Sequence, residues 1–337
     1  MDQDFRRAVI TPSPGSPERP NATFGLAVPH SLCGFDPEGK PTTTSLQEWL
    51  PVLEAAAVDA LWVLDQPTGR MATPEPLALL GHIAAVTSRV RLGVAVLIAA
   101  SRGPVSVARS IATLDWLSGG RVEVGLGLGP SRTYPAYGID RSRGGGAGAV
   151  FDELIDIVLR LWTGEPLQYE GRTWTFAGEA VNPPPRQLPH PPVWIGGDSE
   201  AALRRALRLG GRWIGAGRSP FSDFAANVVR LREMHAAADT AEPLTIGKRV
   251  YLLVDDDHER AERSVRAWFE RFYGQPEWGP AVSVYGPPEE VRARLAELTE
   301  AGAEHLLLHP LVDDLDQYRR LVDEVLPTPG SDGPEAS

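Results

Sequence analysis

A chain of 337 residues can bury one large α/β core or two smaller ones. Its formal net charge of −11, with no Lys/Arg cluster, argues against nucleic acid or an anionic membrane as the main partner. The longest apolar runs, such as residues 92–100, are too short to span a bilayer; the opening MDQDFRR lacks the apolar stretch of a secretory signal, and the lone Cys33 fits a reducing cytosol.

Residues 1–20 carry four prolines and read as a disordered tail. A first buried strand spans 22–28 and ends at Pro29-His30. A helix over 45–57 places Leu46, Trp49, Leu50 and Leu53 on one face. A second strand, 59–64, ends in Asp65-Gln66-Pro67; a helix over 76–87 leads to a third strand over 90–97. The stretch ARSIATLDWLSGGRVEVGLGLG then reads as helix, turn and strand. Ile111, Leu114, Asp115 and Leu117 have helical spacing, Ser118-Gly119-Gly120 stops the helix, and 121–127 suits a strand covered on both faces. Past it, Gly127, Gly129 and Pro130 offer bare backbone to a flat or anionic ligand.

A helix over 150–162 is followed by a hairpin, with strands at 167–169 and 173–176 and a turn at Glu170-Gly171, and then by the crossing NPPPRQLPHPP. Alternation resumes with strands at 193–195, 212–214, 246–254 and 305–309. The helices between and after them fall at 200–209, 221–237, 259–272, 288–301 and 315–325. Eight buried strands interleaved with helices predict parallel βα units closing into a (β/α)8 TIM barrel. The hairpin and proline crossing are inserted between strands four and five. One domain covers 21–327, and 328–337 form a second disordered tail. An open doubly wound sheet is the rival, but the glycines at 125, 127 and 129 are followed by Pro-Ser-Arg-Thr-Tyr-Pro rather than a helix start, which fails as a dinucleotide fingerprint.

Barrel chemistry sits at the carboxyl ends of the strands. Those ends hold His30, then Asp65, Gln66 and Arg70, then Gly129, Ser131 and Arg132. Further round come Gly196-Gly197-Asp198-Ser199, then Gly217, Arg218 and Ser219, and last His309. The 196–199 loop opens a helix, so free amides and the positive end of the dipole face one point, an anion site with Asp198 or Ser199 as the cap. Arg218 and Ser219 add a cation and a hydroxyl. The Asp255-Asp256-Asp257-His258 run lacks EF-hand spacing and reads as a solvated turn. No CxxC or GxSxG occurs, so neither metal nor covalent catalysis is supported.

The segments RVRLGVAVLIA, PVSVARSIATLDWLSGGRVEVGLGLG, AYGI, LWTGEPLQYEGRTWTF, HPPVWIGG and AALRRALRLGGRWIGAG, in that order, resemble the bacterial luciferase-like superfamily of flavin- or coenzyme F420-dependent oxidoreductases. The resemblance covers about residues 22–310. It implies that a bulge, often with a non-prolyl cis peptide, falls at Ala95-Val96 and presses on the central ring of the cofactor. It implies that Gly127, Gly129 and Ser131 border that ring. It places the cofactor phosphate at Gly196, Gly197, Asp198 and Ser199, beside Gly217 and Arg218. The implied cofactor is reduced coenzyme F420 or FMN, and the substrate a small organic molecule, in a cytoplasmic enzyme that forms homodimers and draws on a separate flavin reductase if FMN is used.

Asp65-Gln66 stands where many relatives carry an acid followed by histidine. Glutamine is neither acid nor base at neutral pH, so proton handling falls to Asp65 or to His30, with an ordinary pKa near 6.5, while Gln66 shapes the substrate side. Pro130 stands where relatives that reduce sugar phosphates carry an acid, which counts against that subfamily. Both departures keep open a barrel that has lost catalysis and only binds a ligand. Tyr134, Tyr137 and residues 141–148 are the expected substrate walls.

Overall fold

In the computed structural model the described residues are 22–29, 34–35, 41–42, 44–56, 58–67, 73–129, 134, 137, 145–238, 242–312 and 314–326. Both expected tails lie outside them, as do His30, Cys33, Arg70, Pro130, Ser131 and residues 141–144. Eight parallel strands make the barrel: β1 (Thr23–Ala27), β2 (Ala60–Val63), β3 (Arg91–Ile98), β4 (Val122–Gly127), β5 (Val193–Gly196), β6 (Arg212–Gly215), β7 (Thr245–Val254) and β8 (His305–Pro310). Each pairs with the next, and β8 returns to β1 in the register Thr23↔His305 to Leu26↔Leu308, which closes the cylinder.

Around it stand α1 (Thr44–Ala55), α2 (Pro76–Val86), α3 (Pro104–Leu117), α4 (Ala147–Leu161), α5 (Glu200–Arg208), α6 (Phe221–Ala237), α7 (His258–Tyr273), α8 (Trp278–Val282), α9 (Pro288–Glu300) and α10 (Leu315–Arg320). None of the described helices is long and apolar enough to cross a membrane. Outward-facing strand residues such as Leu61, Leu92, Val124 and Leu126 pack against Leu80, Ile83, Ile111, Leu154 and Ile157 of the helices, all buried. These alternating apolar positions form the larger core.

The lumen is filled by Trp62 and Trp194, with Ala27, Ala60, Ala95, Ile214 and Leu307 around them. Burying 150–250 Å² of indole stabilises by roughly 4–6 kcal/mol each at about 25 cal/mol per Å². Room for Trp62 comes from its neighbours. A Cβ at Gly93, directly across in register, would stand 2.2 Å from the indole, and one at Gly25 would stand 2.4 Å away. Below, at the amino end, the ring nitrogens are satisfied: Trp62 Nε1 donates to His305 Nε2 at 3.0 Å, and Trp194 Nε1 donates to Glu123 Oε2 at 2.7 Å. Glu123 in turn pairs with Arg91.

Several elements differ from expectation. The hairpin is Leu167–Glu170 against Thr175–Gly178, with a four-residue turn. Glu153 of α4 accepts the amides of Thr173 (3.1 Å) and Trp174 (2.9 Å), which holds those residues in the turn and starts the second strand later. Between α7 and α9, helix α8 packs against α7, and a short strand, Ser283–Gly286, pairs with the upper half of β7. The last helix ends at Arg320 and continues as a π turn over Leu321–Val325.

Candidate functional site

The site is built from the carboxyl ends of the strands. β3 runs in register with β4 to Val94↔Val124 and resumes at Leu97↔Leu126, so Ala95 and Val96 form a bulge; the peptide bond between them is cis. Ala95 stays with the lumen cluster, and Val96 is half-buried over the next two strands. A Cβ on Gly127 would meet Val96 Cγ2 at 2.3 Å, and one on Gly196 would meet Val96 Cγ1 at 2.6 Å. The two glycines therefore make room for Val96 and leave the ends of β4 and β5 as bare backbone. Gly129 continues past β4 with φ +68°.

Asp65 supports this bulge from β2. Its Oδ2 accepts the Ile98 amide at 2.8 Å and Arg102 Nη1 at 2.6 Å, and Oδ1 accepts Arg102 Nη2 at 3.3 Å. The Asp65 side chain is only 1% exposed. Arg102 also reaches Glu75, the cap of α2, at 3.0 Å. The partner of Asp65 is thus Arg102, and both its oxygens are engaged in tying β2, β3 and α2 together. Gln66 follows, half-buried.

At β5 the chain turns through Gly196 and Gly197, the latter at φ +125°. Ser199 is the cap of α5, its Oγ accepting the Ala202 amide at 3.3 Å. The amides of Glu200 and Ala201 precede any intrahelical acceptor and stand at the positive end of the helix. Asp198 points aside: it accepts the Ala216 amide at 3.2 Å and the Ser219 hydroxyl. Lys248, on the outward face of β7 and fully buried, donates to the carbonyls of Ala216 and Ser219. Burial lowers its pKa to about 8, opposed by the nearby Asp198 carboxylate. Asp198 and Lys248 thereby clamp the loop over 216–219, which presents Gly217 and an exposed Arg218.

On the inward faces of β7 and β8, Arg249 Nη2 donates to His309 Nδ1 at 2.6 Å. The guanidinium carbon lies 4.9 Å from the centre of the Tyr251 ring, whose hydroxyl bonds that of Tyr273 at 2.7 Å. A Cβ on Gly217 would stand 2.9 Å from Tyr251 and 3.3 Å from Arg249 Cδ, so the clamped loop lies directly against this group. Trp268 and Phe269 of α7 complete an aromatic wall.

Val96, Gly127 and Gly196 are thus in one cluster. Gly217 belongs to a second that includes Arg249 and His309, and Asp198 links the end of β5 to it. His30 and Ser131 lie outside the described residues. Arg249, Lys248 and Arg102 carry no sequence motif; the signal for the first two is a Lys-Arg pair inside an otherwise apolar strand. Among the described residues no group of three or more His, Cys, Asp or Glu could hold a metal. A groove of about 500 Å³ between α2 and α3, lined by Leu77, Gly81, Arg109 and Leu117 among others, receives no side chain from a strand end, so it lies apart from this chemistry.

Residues 23–305 match the family model described as luciferase-like monooxygenase. The F420-dependent glucose-6-phosphate dehydrogenase of Beutenbergia cavernae is 30% identical over 305 residues, covering 81% of this chain and 90% of that protein. Monooxygenase RslO1 from Streptomyces bottropensis superposes with a TM-score of 0.75 at 21% identity, over 90% of this chain and 99% of that one. The oxygenating constituent of 3,6-diketocamphane monooxygenase from Pseudomonas putida, solved with FMN, does so at 0.72 and 17%, over 90% and 97%. These two share the fold. The chain spans 66% of the length of the mycobacterial relatives it matches at 34% identity. Sequence match, closed barrel and bulged third strand agree: the chain belongs to the luciferase-like monooxygenase family.

Proposed function

We propose that this protein is an oxidoreductase that binds a flavin-type cofactor, coenzyme F420 or FMN, at the carboxyl mouth of its barrel and acts on a small organic substrate. The observation that carries the reading is the Val96 bulge lying across Gly127 and Gly196, beside the unpaired amides that open α5. The bare backbone there suits a flat ring, and the helix start suits a phosphate. F420 is the first expectation, because the relative that aligns along 81% of this chain is named for it. FMN is the second, favoured by the likeness to a structure holding FMN, and it calls for a separate flavin reductase.

When bound, the reduced cofactor supplies electrons, as hydride from a deazaflavin or to oxygen from FMN. The chain does the rest. Ala95 and Val96 back the ring, with Gly127, Gly129 and Ser131 at its border. Gly196, Gly197, Ser199 and the first amides of α5 hold the phosphate, and Asp198 fixes the loop bearing Gly217 and Arg218. Asp65 acts through Ile98 and Arg102 to position the bulge, Gln66 shapes the substrate side, and His30 handles the proton. The aromatic wall of α7 keeps water from the reacting face.

Anaerobic titration of the purified protein with reduced F420 and with reduced FMN tests this. Micromolar affinity for one of them is expected, at least tenfold weaker in Gly196→Val. Binding of neither would overturn the reading and leave a barrel that holds some other ligand.

A further inference from the structure

Arg249 is a cation inside the barrel mouth that no carboxylate among the described residues meets. Its hydrogen-bond partner is His309, which accepts through Nδ1 and so is neutral while that bond stands. Its other neighbour is the face of Tyr251. Burial raises the Tyr251 pKa, so the phenol stays neutral as well and offers no counter-charge. The Nε of Arg249 is buried without a hydrogen-bond partner, although the residue as a whole is only half-buried and still reaches the mouth. Arg218, on the adjoining loop, is exposed and forms no ion pair with any described residue. An arginine in this setting is costly unless something negative arrives, because a buried charged donor without a partner has given up its water for nothing. Guanidinium presents a planar fork suited to carboxylate and phosphate alike.

We propose that Arg249 receives an anionic group, carboxylate or phosphate, of the substrate, with Arg218 at the rim of the same pocket. The proposal rests on the reading of the barrel mouth as the active site, and it adds the substrate's chemical class. The cofactor phosphate is assigned to the start of α5, on the β5 side. Arg249 stands on β7, against the wall formed by α7. Of the rings packed around it, Tyr251 and His309 are buried and Trp268 is half-buried, so Trp268 is the ring that can meet the body of the same molecule, and the acceptable substrate is one with an anionic end and an aromatic or apolar remainder.

The test is calorimetric titration of inorganic phosphate, and separately of benzoate, into the cofactor-saturated protein and into the free protein. The expected result is binding that persists with cofactor present, weakens at least tenfold in Arg249→Gln, is partly kept in Arg249→Lys, and falls several-fold in Arg218→Gln. Equal binding by Arg249→Gln, or displacement of both probes by cofactor, would overturn the proposal. If Arg249→Gln fails to fold by its thermal melt, the exposed Arg218→Gln decides: unchanged affinity for both probes counts against the pocket, and a several-fold loss supports it. Failure of the cofactor reading would show separately, as absence of F420 and FMN binding in a protein that still takes the anions through Arg249.

Discussion

Across the barrel axis the Trp62 indole donates to Nε2 of His305 at 3.0 Å, and this bond sets the state of the imidazole. Indole can only donate, so Nε2 carries no proton; the ring proton sits on Nδ1, facing Thr23 Oγ1 at 2.9 Å. Burial lowers the His305 pKa below its ordinary 6.5, with Glu123 and Asp59 opposing. The folded value lies below the unfolded one, so this contribution to stability is whole above about pH 6.5 and is lost as pH falls through the folded value. Urea melts from pH 7.5 to 5 should show that loss, and His305→Gln should flatten it. Trp62→Phe leaves Nε2 without a donor and should cost about 1–3 kcal/mol at pH 7.5.

Asp65 is the residue whose role the ion pair decides. Its carboxylate holds the Ile98 amide and Arg102 at once through both oxygens, so taking up a substrate proton would compete with the ion pair that supports the end of β3. Asp65→Asn should lower stability by about 1.5–3 kcal/mol, the range for hydrogen bonds to charged groups. It should also weaken cofactor binding, because the end of β3 is released. The pH profile of turnover should keep its shape. A profile that lost one limb while stability held would make Asp65 a proton carrier instead.

The barrel was legible because the strands are short, largely apolar runs set between longer helical patterns, so alternation alone counts eight units. The short strand Ser283–Gly286 was not, since four residues carry too little periodicity and its pairing with Tyr251–Val254 is a long-range contact. The glycine loops at strand ends announced bare backbone. What filled the space above them came from the resemblance, which put a bulge at Ala95-Val96; by pattern alone Val96 reads as one more apolar strand residue, and the register slip against β4 is what turns it across Gly127 and Gly196. Arg249 is hidden for a related reason. Inside the run 246–254 a charged residue can face helix or lumen, and here the two neighbours split, Lys248 outward to the carbonyls of 216–219 and Arg249 inward to His309.

Val96 and Gly196 should behave as one unit. An alanine at Gly196 would place its Cβ 2.6 Å from Val96 Cγ1, and a β-branched side chain cannot swing aside without moving the bulge. Gly196→Ala should cost about 1–3 kcal/mol by overpacking and weaken cofactor affinity. Adding Val96→Ala should restore most of the stability, with a coupling of about 1 kcal/mol in a double-mutant cycle read by denaturant melts. Additive losses would mean the two side chains do not compete for the same space.

Lys248 gives a signal at the other end of the pH scale. Lys40 and Lys248 are the only lysines in the chain, so a titration above pH 8 carries little from other ammonium groups. Burial lowers Lys248 to about 8 against an ordinary 10.5, the Asp198 carboxylate opposing. Between those values the folded protein has released the proton that the unfolded chain still holds. Stability therefore rises with pH across that window, by on the order of 3 kcal/mol if the whole difference is expressed. Lys248→Met should remove the slope. At pH 7 the same substitution leaves the carbonyls of Ala216 and Ser219 without their donor, while Asp198 still holds the Ala216 amide and the Ser219 hydroxyl. The loop that presents Arg218 should then open more often, read as faster amide hydrogen exchange over 216–219 with the barrel strands unchanged. Exchange that stayed as slow as in the parent protein would show that Asp198 alone holds the loop.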